Sequence, residues 1–346
     1  MTLGYVGSLG HHLVTTYDAN PVTPAGHAAC LADPDCVSSR SIQRLLYPSH
    51  STDPLTIGET GLPYYLGVGT QATRGSSSYN SFQAQLQKAQ THGLTFNLAY
   101  TYSHGLDNAS GLESSGFNGL GTNYIPGFGY LSYGDSDYDA RHRFVGSYVY
   151  EIPILQSMKN NFIMNEFLGG WHVSGVTALQ KGFPITILDT GGYNSLWCDG
   201  FNYYSCPDTA VTSTFKIQTL NPRSGQWFDP GVFSQEPIGT FGNVKRNFFH
   251  GPGFNYTNLG LYKDFPLGAE KARYIEIRLD SFNTFNHPNF APPGSPGVPG
   301  GNFGAGSSPL ATFGKITSVI QPSNFGGSST DPQPGRAVQL AGKIYF

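Results

Sequence analysis

The chain has 346 residues with 19 basic and 22 acidic side chains, a net charge of −3 and a mean hydropathy of −0.25. Charged residues make up 12%, about half the ~25% of ordinary soluble domains, while 24 Phe, 21 Tyr and 45 Gly are plentiful. That balance leaves no basic footprint for nucleic acid and no apolar run of the ~18 residues that a membrane helix needs, and Gly plus Pro stay below the ~25–30% of low-complexity chains.

What remains is an all-β protein, either soluble and secreted or a barrel whose membrane signal is diluted by alternation. The opening Met1-Thr2-Leu3-Gly4-Tyr5-Val6 lacks the basic and apolar regions of a signal peptide, so it reads as a cytosolic start or as a place within something longer. Two local cysteine pairs speak against the cytosol: Cys30 and Cys36 in CLADPDC, Cys198 and Cys206 in CDGFNYYSC. Such short loops suit disulfides in an oxidising compartment, with free thiols as the alternative. A metal site is disfavoured, because neither spacing is C-x₂-C and no His stands in tandem.

Further along, segments of barrel-strand length, ~9–11 residues, carry apolar residues at every second position. In 79–90, Phe82, Ala84 and Leu86 oppose Ser81, Gln83, Gln85 and Gln87. Thr91-His92-Gly93 then reads as a hairpin turn into 94–103, where Leu94, Phe96, Leu98, Tyr100 and Tyr102 oppose Thr95, Asn97, Ala99, Thr101 and Ser103. Phe144, Gly146, Tyr148, Tyr150 and Ile152 alternate with Arg143, Ser147 and Glu151, and Ile275, Ile277 and Leu279 with Glu276, Arg278 and Asp280. The last segment is the clearest: Val338, Leu340, Ile344 and Phe346 share a face with Gly342, opposite Gln339, Lys343 and Tyr345.

A sandwich alternates too. Here the polar face is rich in Gln, Thr, Asn and Ser, as a wet lumen requires, and the aromatic pairs Tyr100/Tyr102, Tyr148/Tyr150 and Phe282/Phe285 stand near segment ends, where membrane girdles lie. Short links (around His92, 153–161 and 266–271) alternate with long ones (10–78, 105–139, 189–253 and 287–335). The expected fold class is therefore an all-β, antiparallel transmembrane β-barrel with long external loops. Its spanning segments are 2–9, 79–90, 94–104, 140–152, 170–188, 254–265, 272–285 and 336–346, the fifth extending past the membrane. The strand-like 313–320 is assigned to the last external loop, so that both barrel ends face one side, and both cysteine pairs then fall outside the cell.

At this point a resemblance enters. TLGYVGSLGHHL, SSSYNSFQAQLQKAQTHGLTFNLAYTYSHGLDN, YDARHRFVGSYVYEIP, GWHVSGVTALQKGFPITI, RLDSFNTFNHPNF and RAVQLAGKIYF, in that order, resemble the later barrel strands of TonB-dependent outer-membrane receptors, in particular the Oar-like subgroup. The resemblance covers most of the chain outside the long loops. It implies a Gram-negative outer-membrane location, contact with outer-membrane lipid, a 22-stranded barrel around an N-terminal plug, and coupling to TonB through an N-terminal box. Residues 1–346 carry no plug, TonB box or regulatory-like domain, so the chain is expected to be the C-terminal portion of a larger barrel, with TonB reached only through a missing N-terminal region. A self-standing eight-stranded barrel is the alternative.

Candidate chemistry is sparse. The terminal Phe346, with Val338, Leu340 and Ile344 on its face, looks like the insertion signal read by the barrel-assembly machinery; the plainer reading is an ordinary last strand. Asp139-Ala140-Arg141-His142-Arg143 is expected to be a set of solvated mouth charges, and the pairs Asp135/Asp137 and Asp33/Asp35 have no framework that would make them calcium ligands or an acid–base pair. The ten His include no H-E-x-x-H, and there is no G-x-S-x-G elbow or P-loop; GGNFGAG at 300–306 sits in a Pro-rich loop with no helix behind it. No enzyme and no cofactor are expected. Trp197, Trp227 and the Tyr, Phe and Asn around them suit stacking on sugars or docking of hydrophobic ligands, or packing of loops on one another. Siderophore, oligosaccharide, peptide and cobalamin all remain compatible as solutes. The rival reading of the whole chain is a soluble, secreted β-sandwich or propeller that binds glycans through aromatic loops.

Overall fold

The computed structural model describes residues 1–18, 32, 69–108, 110, 132–153, 167–187, 210–211, 225–234, 243–267, 273–293, 313–320 and 335–346. Their strands, in chain order, are β1 (Thr2–Asp18), β2 (Gly69–Thr91), β3 (Leu94–Asp107), β4 (Gly134–Asp135), β5 (His142–Glu151), β6 (Trp171–Gln180), β7 (Pro184–Ile185), β8 (Ala210–Val211), β9 (Phe233–Ser234), β10 (Phe249–His250), β11 (Phe254–Pro266), β12 (Tyr274–Phe282) and β13 (Ala337–Tyr345). The long ones form one antiparallel meander in the order β1-β2-β3-β5-β6-β11-β12-β13, with β4 added to β3. No pairing joins β1 to β13 among the described residues, so the wall is open between them. β7 with β10 and β8 with β9 make two small separate sheets.

The register carries the alternation across the sheet. Tyr5 lies opposite Phe82 and Phe82 opposite Tyr102; Tyr100 lies opposite Phe144; Leu261 lies opposite Leu279, which faces Leu340. On the other face Gln87, Asn97 and Ser147 line up, as do Glu151, His172, Tyr262 and Arg278. Because side chains alternate with period two, these pairings gather the large apolar side chains on one side and most of the polar ones on the other, with Val149 and Val176 standing among the polar residues.

Where the core sits settles what covers the greasy side. The buried hydrophobics among the described residues are Ile185, Ile187, Phe228, Phe233, Val244, Phe249 and Phe313, all outside the eight long strands. The apolar sheet face is open instead, with Tyr5 70% and Leu340 72% exposed. A soluble sandwich would bury that face against a second sheet. Hydrocarbon is the medium in which it is stable.

All eight expected spans are found, with corrected ends. β1 runs on to Asp18 and β2 begins at Gly69, well beyond the expected 2–9 and 79–90, and β3 continues to Asp107. Beyond the bilayer both faces of a hairpin are wet, so the apolar period lapses while backbone pairing goes on. The expected fifth span, 170–188, stops at Gln180. There Gly182 comes so near β10's neighbours that an added Cβ would lie 2.0 Å from the Gly251 carbonyl oxygen, and Pro184 offers no N–H; Pro184–Ile185 leaves the wall to pair with Phe249–His250. The link after β5 is longer than 153–161, since β6 starts only at Trp171. Residues 313–320 form no ladder strand: they make single bridges, Lys315 to Gln226 and Val319 to Phe290, among the long connections, as assigned.

The hairpin turn is confirmed in detail. His92 (φ 54°) and Gly93 (φ 75°) form a two-residue loop between Thr91 and Leu94. Positive φ at both positions is the turn that fits twisted strands. A Cβ on Gly93 would also lie 2.7 Å from the Glu151 carbonyl oxygen, so glycine is required twice over.

Candidate functional site

Two polar assemblies stand out, one along the wall and one at its long-connection end. The first follows from alternation. Gln87, Thr95, Asn97, Ser147, Val149, Ser174, Val176, Asn258, Arg278 and Asp280 line a trough of about 500 Å³ running across β2, β3, β5, β6, β11 and β12. Arg278 Nε donates to both Asp280 oxygens, at 2.8 and 2.7 Å, and its guanidinium lies 5.4 Å from the centre of the Tyr262 ring. Tyr262 stacks in turn on His172 at 4.8 Å, and His172 Nε2 is 3.3 Å from Asp264.

The second assembly binds the long connections together. β3 delivers His104, Asp107 and Asn108 past the sheet; the segment around β4 supplies Asp135, Asp137, Asp139 and Arg141; the run before β10 supplies Arg246, Asn247 and His250. Arg246, 7% exposed, donates to the buried Asp107 carboxylate and lies 3.7 Å from Asp137. Asn247, at φ 53°, donates to the Asp135 carbonyl at 2.6 Å and exchanges hydrogen bonds with Thr186 at 2.9 Å. Gly134 makes room for this approach: a Cβ there would lie 2.3 Å from the Arg246 carbonyl oxygen.

Asp139 is the hinge of the cluster. Its side chain is fully buried and accepts from the Gly105 N–H at 2.8 Å and Arg141 Nε at 3.2 Å, with His250 Nε2 at 3.3 Å. Burial pushes its pKa up, but the His250 and Gly105 hydrogen bonds and the Arg141 charge outweigh it, and the carboxyl is held below its ordinary value of 3.8. Burial likewise works against the Arg141 charge, and Asp139 and Asp135 more than compensate, raising its pKa.

Asp135, Asp139 and His250 bring ligand-type atoms within 4.8 Å of one another. A metal does not fit there, because the Arg141 guanidinium already occupies both carboxylates, at 3.0 Å from Asp135 and 3.2 Å from Asp139. The arrangement is a closed ion-pair network. It matches the expectation of mouth charges for Asp139 and Arg141, corrected in one respect: Asp139 is buried rather than solvated. The sequence did not single out Asp107, His104, Arg246 or His250, which come from two widely separated segments with no shared period.

Other expected residues fall as follows. Cys30, Cys36, Cys198, Cys206, Asp33, Asp35, Trp197 and 300–306 lie outside the described residues. Val338, Leu340 and Ile344 share the open apolar face of β13, and Phe346 is wholly exposed just past it. Trp227 packs against the buried cluster, where Phe228 meets Phe233, Phe249 and Phe313 edge to face at 5.3–5.5 Å. These rings pack loops on one another rather than facing a ligand.

The family described as outer membrane beta barrel domain matches residues 1–339. No curated protein matches the sequence. Among solved structures the chain is similar to the outer membrane transporter YddB from Escherichia coli, at 10% identity and a TM-score of 0.35, covering 83% of this chain and 26% of that one. With its single antiparallel wall, apolar outside and polar inside, the chain belongs to the outer-membrane β-barrel domain family and is a protein of the outer membrane.

Proposed function

We propose that this chain is the C-terminal part of the barrel of a TonB-dependent receptor, of the Oar-like subgroup, that binds a solute at the cell surface and forms part of its passage across the outer membrane. The observation that carries the reading is the mainly polar wall from Gln87 to Asp280, backed by an open apolar face and capped by tethered external connections. The match to the barrel family supports it. Outer-membrane lipid covers the apolar face, and the barrel-assembly machinery takes up the last strand through Val338, Leu340, Ile344 and Phe346. Contact with TonB belongs to a plug-bearing N-terminal region that is not among these 346 residues. The chain does no chemistry on its solute and needs no cofactor or nucleic acid.

The test is expression in a Gram-negative host followed by fractionation. The chain is expected in the outer membrane, with a mobility in detergent gels that changes on boiling. Recovery in the soluble fraction without detergent would overturn the reading.

A further inference from the structure

The trough in the wall has a feature that a plain barrel lining does not need. Gly260 lies on β11 directly between Ser174 of β6 and Asp280 of β12. A Cβ at Gly260 would sit 2.7 Å from both the Ser174 hydroxyl oxygen and Asp280 Oδ1, and 3.5 Å from Arg278 Nη2. Glycine thus leaves open a spot in the trough where a hydroxyl, a carboxylate and a guanidinium converge above the backbone.

The charge at this spot is balanced. Arg278 and Asp280 are the charged residues lining the trough, and they neutralise each other through Nε, leaving the Nη groups of Arg278 without an acceptor among the described residues. Besides the two apolar side chains Val149 and Val176, the polar face of the lining offers amides and hydroxyls: Gln87, Thr95, Asn97, Ser147, Ser174 and Asn258. An anion would meet the Asp280 carboxylate, and an apolar ligand would strand these donors and acceptors unpaired. A ligand with many neutral hydroxyl groups satisfies both sides, donating to Asp280 and accepting from Arg278. Six strands at a spacing of about 4.8 Å make the trough roughly 24 Å long, suited to an extended ligand.

We infer that the trough is a binding site for a neutral, extended polyhydroxylated solute, an oligosaccharide in chemical class, with the Ser174–Arg278–Asp280 cluster over Gly260 as its polar anchor. This deepens the proposed function and rests on that reading of the wall as a solute passage.

Maltohexaose, cellohexaose and the anionic hexagalacturonate are titrated by calorimetry into the full chain folded in detergent. One of the neutral sugars is expected to bind, and hexagalacturonate to bind at least about tenfold more weakly. Gly260→Val, which fills the convergence point, and Arg278→Gln, which leaves the backbone free, are each expected to weaken neutral-sugar binding about tenfold or more, as loss of one or two buried polar contacts does. Should Gly260→Val fail to give a heat-modifiable band, Arg278→Gln with Ser174→Ala carries the comparison. Absence of binding by both neutral sugars, preference for hexagalacturonate, or affinity untouched by the variants overturns the inference. A chain that fractionates with the outer membrane but fails this test loses only the site; a chain found in the soluble fraction loses the proposed function.

Discussion

Asp264 of β11 and Glu276 of β12 stand directly opposite each other on the polar face, two carboxylates on neighbouring strands. Asp264 Oδ1 and Glu276 Oε1 are each shielded from solvent and receive no hydrogen bond among the described residues. Lys343, at 3.9 Å from Glu276, and His172, at 3.3 Å from Asp264, sit beside the pair without filling the gap. Like charges directly across a ladder destabilise by about 0.2–1 kcal/mol. Glu276→Gln is therefore expected to raise the temperature at which the detergent-folded band unfolds, by about 1 kcal/mol or less in stability. Thermal melts followed on unboiled gels check it, and a lowered transition would mean that the Lys343 contact outweighs the repulsion.

At the other end of the wall Arg246 is the converse case, a cation enclosed by acids. Replacing it with Met would leave Asp107 buried beside Asp137 with no guanidinium between them and the connections. Removing one partner of a buried pair costs about 3–5 kcal/mol. The expected outcome is rapid proteolysis of the external connections with the barrel band intact, read by limited digestion of whole cells.

The acid limb of loop stability follows from Asp139. Its folded pKa lies below the ordinary 3.8, so its contribution is fully present above that value and fades as pH falls through the lower folded one. Protection of the external connections against pepsin is expected to hold at mildly acidic pH and to drop only once the pH has fallen below 3.8. Asp139→Asn should remove that step and lower protection at neutral pH, because Arg141 and His250 then face an amide.

Phe346 is the residue on which the proposed insertion signal can be tested. It is wholly exposed and lies beyond the last paired residue, Tyr345. Deleting it is expected to leave refolding into detergent unchanged while reducing the amount of barrel assembled in cells several-fold. Equal loss in both assays would make it a structural residue and not a signal.

The barrel was legible in the sequence because lipid and lumen impose a period of two, and residues such as Phe82, Leu340 and Arg278 obey it. β1 past Leu9 and β2 before Tyr79 were not, because strands standing in water on both faces need no such period. The stop at Gln180 was missed for a local reason, the Gly182–Pro184 corner, which only the neighbouring Gly251 makes visible. The Arg246 network was hidden because its members are distant in sequence and assembled by tertiary contacts alone. Gly260 carried no mark of its own; its meaning lies in the side chains of two other strands.

The buried cluster of Phe228, Phe249, Phe313 and their neighbours lies in the connections, while the wall keeps its apolar surface outward. The chain therefore folds against two solvents. Its outer part coheres like a small water-soluble protein, whose stability answers to urea and temperature. Its wall coheres only where hydrocarbon is supplied, and answers to the thickness and headgroups of the surrounding film. Swapping one detergent for another should therefore move the wall and leave the cap in place.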